Sequence, residues 1–273
     1  MRLLIFSACL LYLFSCNSKP SSNEKEMADK PLQIRVAAYN VEVSRNATAK
    51  EIGLALKAYD LDIACFSEAP GGEWTKEVGA AMGLNHVVVG KYPTAGHDDK
   101  YKTIASKTPL YGYEEILMAD TLHTVTKAKT KIDGKEIGIY SVHFPFGWRD
   151  QAHIDETTGK VTAFIDYLKK TDDKEISIVM GDFNFIPTNA DKTSDYHEMF
   201  VEIGLDVSWK ALKIDPTQRN TYNALEPKDE GNGDVIDHIM YSSKQLKVLD
   251  GDIIEWEKPL SDHKPVWAVL QLK

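Results

Sequence analysis

The sequence predicts a mixed α and β chain (α+β) in which two β-sheets pack together and helices lie outside them. Three observations predict it. Short apolar runs of strand length recur along the chain. Two of them, residues 122–132 and 136–143, flank Asp133-Gly134, the strongest short-range hairpin signal present. Helical patterns are interspersed among the strands, and elements mixed in this way bury their apolar faces as packed sheets covered by helices.

The elements follow in order. Residues 33–40 read as an apolar strand ending in the polar Asn40. Residues 48–59 place Ile52, Leu54, Ala55, Leu56 and Tyr59 at amphipathic helix spacing behind a cap at Asn46 or Thr48. A strand over 61–66 runs into Glu68, and a helix over 73–82 is stopped by Gly83. Residues 86–90 and 101–106 are short strands, followed by the hairpin. Residues 157–169 form a helix with Val161, Phe164, Ile165 and Leu168 on one face. A buried strand over 176–180 leads into Gly181-Asp182-Phe183-Asn184, and Gly204 ends a short helix over 198–203. Late strands cover 235–241, 247–254 and 266–270. Residues 32–273 show no repeat and no change of composition, so one domain of about 240 residues is expected.

The first thirty residues read differently. Arg2 precedes an apolar run over 3–14, too short to span a bilayer and suited to an export signal. The run ends in Leu13-Phe14-Ser15-Cys16, which resembles a bacterial lipobox with Cys16 as the acylated residue. The expected organisation is a signal peptide over 1–15, a flexible tether over 16–31 and a catalytic domain over 32–273. An ordinary cleaved signal is the alternative. Membrane attachment would run through the lipid on Cys16, placing the chain in the cell envelope, on its periplasmic or outer face, or otherwise secreted. Of the three cysteines, Cys9 leaves with the signal and Cys65 lies in an apolar strand as a small core side chain, so no disulfide framework forms in the mature chain.

The formal charge of -9, from 32 basic against 41 acidic residues, opposes sequence-blind binding of a polyanion. Nucleic acid is therefore expected only as a substrate. No protein partner is predicted, and the chain is expected to be a monomer.

Polar residues recur where apolar strands end: Asn40, Glu68, His143, and Asp182 with Asn184. Asp237 lies within a strand, and Asp262-His263 precedes the last one. Strands are rigid supports for a site, although any one such residue could merely cap a strand or make a turn. Carboxylates and amides without thiols or paired-histidine spacing are hard oxygen donors, suited to Mg²⁺, Mn²⁺ or Ca²⁺ rather than to structural zinc.

Ala-Tyr-Asn40-Val, Phe-Ser-Glu68, Ser-Val-His143-Phe, Gly-Asp182-Phe-Asn184, Ile-Asp237-His-Ile and Ser261-Asp262-His263, in this order, resemble the endonuclease/exonuclease/phosphatase superfamily. The resemblance implies a four-layer α/β/β/α sandwich of two mainly antiparallel sheets and a metal-dependent phosphoric ester hydrolase. It implies Glu68 and Asn40 as metal ligands, Asp262 as a second metal ligand or a water holder, and Asp182 as the group that orients or deprotonates water. Asn184 would hold a phosphate oxygen, His143 would contact phosphate or act as general acid to the leaving group, His263 would contact phosphate and stabilise the transition state, and Asp237 would hold His263. Lys102 and Arg149 could bind substrate, with solvated surface charge as the alternative for each. His238 replaces a tyrosine common in relatives and, one residue from Asp237 on a strand, should face away from the site. The aromatic segment 143–149 beside the site could contact a sugar, a base or lipid, or could simply cover the core. The expected substrate is an extracytoplasmic small or lipid-linked phosphoester, a diester or a monoester. A secreted nuclease of the deoxyribonuclease-I type is one alternative; a non-catalytic surface binding protein is another.

Overall fold

Each sheet is built around one parallel strand pair. The computed structural model describes residues 31–146, 150–171, 175–185, 196–215, 218–225 and 235–273. The expected signal peptide, nearly all of the expected tether, and Arg149 lie outside the described residues. In the first sheet β1 (Gln33–Asn40) runs parallel to β2 (Ile63–Ala69). Antiparallel neighbours complete it: β3 (His86–Val89), β4 (Tyr101–Ser106), β11 (Leu246–Ile253) and β12 (Val266–Leu272), in the order β11-β12-β1-β2-β4-β3. In the second, β7 (Lys135–His143) runs parallel to β8 (Ile176–Asp182). Here β5 (Tyr111–Leu117), β6 (Thr124–Ile132), β9 (Leu205–Val207) and β10 (Asp237–Ser242) add antiparallel, in the order β5-β6-β7-β8-β10-β9. A parallel pair needs a long crossover, and both crossovers carry helices.

Alternation along β1 shows why the sheets stack. Ile34, Val36 and Ala38 enter the core shared with the second sheet. Ala37 and Tyr39 point the other way, onto Ile52 and Leu56 of α1 (Ala49–Leu56) and Val78 and Met82 of α2 (Gly72–Met82). On the outer face of the second sheet, α3 (Gln151–Lys169) and α4 (Tyr196–Glu202) enclose Phe144, Phe164, Phe183 and Phe200, whose rings meet with centroids 5.0–6.2 Å apart. Burying one such ring stabilises the fold by roughly 2–3 kcal/mol. The result is the α/β sandwich the sequence predicts, with two mainly antiparallel sheets between helices. Cys65 is a buried free thiol in the inter-sheet core, pushed up to about 12 by burial.

Local signals account for most boundaries. Thr48, not Asn46, caps α1: its hydroxyl accepts from the Glu51 N–H at 3.2 Å, and the Glu51 carboxylate accepts from the Thr48 N–H at 2.8 Å. Gly83 ends α2 at φ 86°. Helix α3 starts six residues before the predicted 157, because Asp150 caps it through the His153 N–H at 2.9 Å. Its first turns are polar and carry no apolar stripe to announce them. Three elements lack a sequence signal: the largely exposed edge strand β5, the three-residue β9, and the five-residue α5 (Ser208–Leu212). Among the described residues, no helix is long and apolar enough to cross a membrane.

Candidate active site

Strand register assembles a row of ionisable groups at one pole. His143, the last residue of β7, is paired with Asp182 on β8, and Asp182 is paired with Asp237 on β10. Paired residues point to the same face, so three adjacent strands deliver three side chains side by side, facing the first sheet. Asn40, at the end of β1, meets them from that sheet: its amide donates to Asp182 Oδ2 at 3.0 Å. Ser67 also joins the sheets, donating to the Val142 carbonyl at 2.9 Å. The glycine of Gly-Asp-Phe-Asn has a steric reason: Gly181 has φ 144°, and a Cβ there would run into the Val142 carbonyl on β7.

Glu68 reaches this row through a break in its own strand. Alternation sends Cys65 and Ser67 toward the second sheet and Phe66 toward the helices, so Glu68 would follow Phe66 outward. The pairing of β2 with β4 shifts between Phe66 and Ala69, and Glu68 adopts φ 51°. A bulge of this kind re-aims a side chain, and a left-handed non-glycine residue costs on the order of 1–3 kcal/mol. Glu68 Oε1 then lies 3.8 Å from His143 Nε2, and Glu68 Oε2 lies 2.6 Å from the ammonium of Lys100. Asn184, at φ 53°, sends its backbone N–H to Asp182 Oδ1 at 2.9 Å and its side-chain amide to the Phe144 carbonyl at 2.8 Å.

The last segment closes the row. Ser261 donates to the Asn40 carbonyl at 2.9 Å, and Asp262 Oδ1 lies 3.2 Å from the same hydroxyl. His263 Nδ1 donates to Asp237 Oδ2 at 2.8 Å, while its Nε2 stands 3.8 Å from Asp182 Oδ2. Burial alone would lower the His263 pKa. Asp237, Asp182 and Asp262 outweigh it and raise the imidazole to about 10, so it is an imidazolium at neutral pH. Burial, reinforced by Asp237, pushes Asp182 up to about 7 against the pull of His263, Asn40 and Asn184. Burial, and to a lesser degree Glu42 and Glu68, raises Asp262 above the usual carboxylate range. His143 is held well below its ordinary value by burial and by Lys102, His263, His123 and Lys100, so it is neutral.

The structure thus brings together Asn40, Glu68, His143, Asp182, Asn184, Asp237, Asp262 and His263. Lys102 corrects the sequence reading: it is neither solvated nor a cleft residue. It is fully buried, donates to the Tyr92 carbonyl and Thr94 Oγ1 at 3.3 Å each, and burial lowers it to about 8. Lys100, two residues earlier and just ahead of β4, is the lysine at the site. It lines a cleft of about 300 Å³ with Glu68, His143, Asn184, Phe144, Phe146 and Lys160. No motif marks Lys100; only its place just ahead of β4 could have raised it. Thr221 was also missed, although its hydroxyl accepts from the Asp237 N–H at 3.1 Å. His238 faces away, as expected: it accepts from Trp209 Nε1 at 2.9 Å and donates from Nε2 to the Phe185 carbonyl at 2.7 Å. With both nitrogens engaged and burial lowering it to about 3, His238 is a neutral core residue.

The donor chemistry fits a divalent cation. Glu68, Asp182, Asp262 and the Asn40 amide oxygen are hard oxygen donors at one pole, and buried Asp237 Oδ1 has no hydrogen-bond partner. Asp182, Asp237 and His263 form a compact group with ligand atoms within 4.8 Å of one another. In that group His263 is protonated toward Asp237, and an imidazolium must lose a proton before it can ligate. The Glu68 side is therefore the better cation position.

The sequence model described as the Endonuclease/Exonuclease/phosphatase family matches residues 37–263. No curated protein matches the chain. Among solved structures, an endonuclease/exonuclease/phosphatase from Beutenbergia cavernae DSM 12333 superposes with TM-score 0.69 at 16% identity, covering 88% of this chain and 72% of that one. One from Bacteroides vulgatus gives 0.67 at 18% identity, covering 89% and 100%. An AP endonuclease from Archaeoglobus fulgidus gives 0.66 at 18% identity, covering 86% and 98%.

Proposed function

The chain belongs to the endonuclease/exonuclease/phosphatase family, and so is a metal-dependent phosphoric ester hydrolase; on that premise we propose that it hydrolyses an extracytoplasmic phosphoester by directed attack of water. The observation that carries this reading is the row His143–Asp182–Asp237, closed by Asn40 and His263 from the other sheet.

A divalent cation, Mg²⁺ in this reading, would supply Lewis acidity to a phosphate oxygen and to the charge developing on the leaving oxygen. Glu68, the Asn40 amide oxygen and Asp262 are the residues proposed to hold it. Asp182 is proposed to orient the attacking water and take its proton. A base near neutrality balances ionisation against proton affinity, and Asp182 at about 7 has that balance. The Asn40 and Asn184 donors fix its two oxygens. His263 presents Nε2–H as a charged donor to a phosphate oxygen, and Asp237 keeps the imidazole charged and oriented. Neutral His143 is proposed to contact phosphate as an uncharged hydrogen-bond donor; held neutral by burial, it has no acidic proton to pass to the leaving group. Asn184, an uncharged donor lining the cleft, suits a phosphate oxygen without carboxylate repulsion.

Export and anchoring are part of the proposal. The apolar run over 3–14 and Ser15-Cys16 support a signal peptide followed by an acylated cysteine in the cell envelope. The chain is proposed to act as a monomer on a small or lipid-linked phosphoester. The test is a panel of aryl phosphomonoesters and phosphodiesters with Mg²⁺ and with chelator. Metal-dependent turnover is expected; metal binding without turnover of any ester would remove the reading. Nuclease activity is favoured by the fold shared with the Archaeoglobus fulgidus AP endonuclease. It predicts plasmid or RNA cleavage that falls steeply with salt, and no cleavage at low salt eliminates it.

A further inference from the structure

The pole opposite the candidate active site carries lysines that the proposed hydrolysis does not use. β1, β8 and β11 begin there and β12 ends there: Gln33 pairs with Gln271, Leu246 with Leu272, and Ile137 with Ile176. Two adjoining cavities of about 570 and 260 Å³ open at this base and share Glu175, Lys244 and Gln245. Lys129, Lys135, Lys169, Lys244 and Lys273 line them, against Glu136 and Glu175. Lys129 alone pairs with both glutamates, at 2.8 and 3.0 Å. Lys135, Lys244 and Lys273 are exposed. In a chain of formal charge -9, this is a local reversal of sign.

The base is also where the catalytic unit joins the preceding chain. The Leu32 carbonyl accepts from the Leu272 N–H at 2.9 Å, so whatever path the earlier residues take, they attach here. The site lies at the far end of β1, roughly 25 Å away at ~3.3 Å per strand residue. Only the short segment 17–31 separates Cys16 from Leu32 in the sequence.

We propose that this lysine-bearing base docks on the anionic headgroups of the bilayer that holds acylated Cys16, and that the active site faces away from it toward a water-soluble phosphoester. The proposal deepens the phosphoesterase reading and rests on it and on attachment through Cys16. A short attachment at the base holds that pole nearest the bilayer. Each lysine near an anionic surface strengthens binding by about fivefold, so the three exposed ones together resist reorientation by about a hundredfold.

The test has three arms. The chain lacking residues 1–15, which fall outside the unit Leu32–Lys273 that holds both sheets, and carrying Cys16→Ser is sedimented with phosphatidylglycerol-containing and pure phosphatidylcholine vesicles. Binding only to the anionic vesicles, lost by about a hundredfold in Lys135→Gln/Lys244→Gln/Lys273→Gln with unchanged turnover of a soluble aryl phosphodiester, supports the proposal. Equal binding by the triple variant overturns it. In the second arm, acylated enzyme on vesicles is given that soluble ester and, separately, the vesicle phospholipid as substrate. Hydrolysis of the soluble ester alone is expected, and cleavage of headgroups in the carrying bilayer overturns the orientation. The third arm is the mass of the N-terminal peptide from the membrane fraction. An unmodified Cys16 overturns the anchoring and the orientation that rests on it. Absence of turnover with every ester in solution instead overturns the phosphoesterase reading, and vesicle binding still decides the face.

Discussion

Replacing Asp182 by Asn should stabilise the protein at neutral pH while abolishing turnover. Asp182 is 2% exposed, and its pKa stands at about 7 against an ordinary 3.8. The folded state therefore binds this proton more tightly than the unfolded chain does. The stability that follows is complete below pH 3.8 and is lost as pH rises through about 7. At ~1.4 kcal/mol per unit, ionising the buried carboxyl costs about 4 kcal/mol at pH 8 and under about 2 kcal/mol at pH 5. Asparagine carries no such dependence. It retains an acceptor for the Asn184 N–H but sets its own amide against that of Asn40, which takes back roughly 1–2 kcal/mol. The variant should thus gain about 2 kcal/mol or more on wild type between pH 5 and pH 8, or several degrees in Tm. The assay is urea unfolding at both pH values in chelator, so that bound metal does not contribute. Parallel pH curves for the two proteins would refute the burial argument. Turnover should fall by orders of magnitude in the same variant; retention within tenfold would refute the role of Asp182 and favour a non-catalytic binder.

The remaining predictions concern its neighbours. Asp237→Asn removes the main carboxylate that raises His263, so the loss of activity at high pH should move down from near pH 10 by more than one unit; an unmoved limb in the pH profile of kcat would contradict the pairing. Glu68→Gln should raise the Mg²⁺ concentration for half-maximal turnover at least tenfold, and titration calorimetry showing wild-type affinity would place the cation elsewhere. Gly181→Ala should lower stability by several kcal/mol and disturb the site, because β7 and β8 can no longer approach; wild-type unfolding would exclude that contact. Trp209→Phe strips His238 Nδ1 of its donor and should cost about 1–3 kcal/mol with kcat unchanged, whereas a kcat defect would tie His238 to the chemistry.

Several of these residues were legible before any coordinates. Asn40, His143 and Asp182 close apolar runs, and chain order with residue type was enough to mark them. His238 was placed off the site by alternation alone. Glu68 was marked by its motif, yet simple alternation would have turned it toward α1 and α2, because the bulge that re-aims it depends on pairing with β4. Lys102 and Lys100 differ in the same way. One lysine lies within β4 and the other just ahead of it, and only the packing of β4 against the second sheet and of residues 92–94 buries the first and brings the second to Glu68. Edge strand β5 escaped notice because an exposed edge strand needs no apolar alternation.

What the sequence by itself determined is the alternation of strands and helices, the caps that bound α1 and α2, and the chemical types placed at strand ends. Each of these depends on residues within a few positions of one another. Only the tertiary structure decided which strands lie side by side, that His143, Asp182 and Asp237 share one row, and that His263 carries a proton while His143 does not. Register and protonation depend on burial and on charges brought together from distant parts of the chain, such as the pairing of His263 with Asp237 and the contact of Asn40 with Asp182. No local stretch of sequence contains that information.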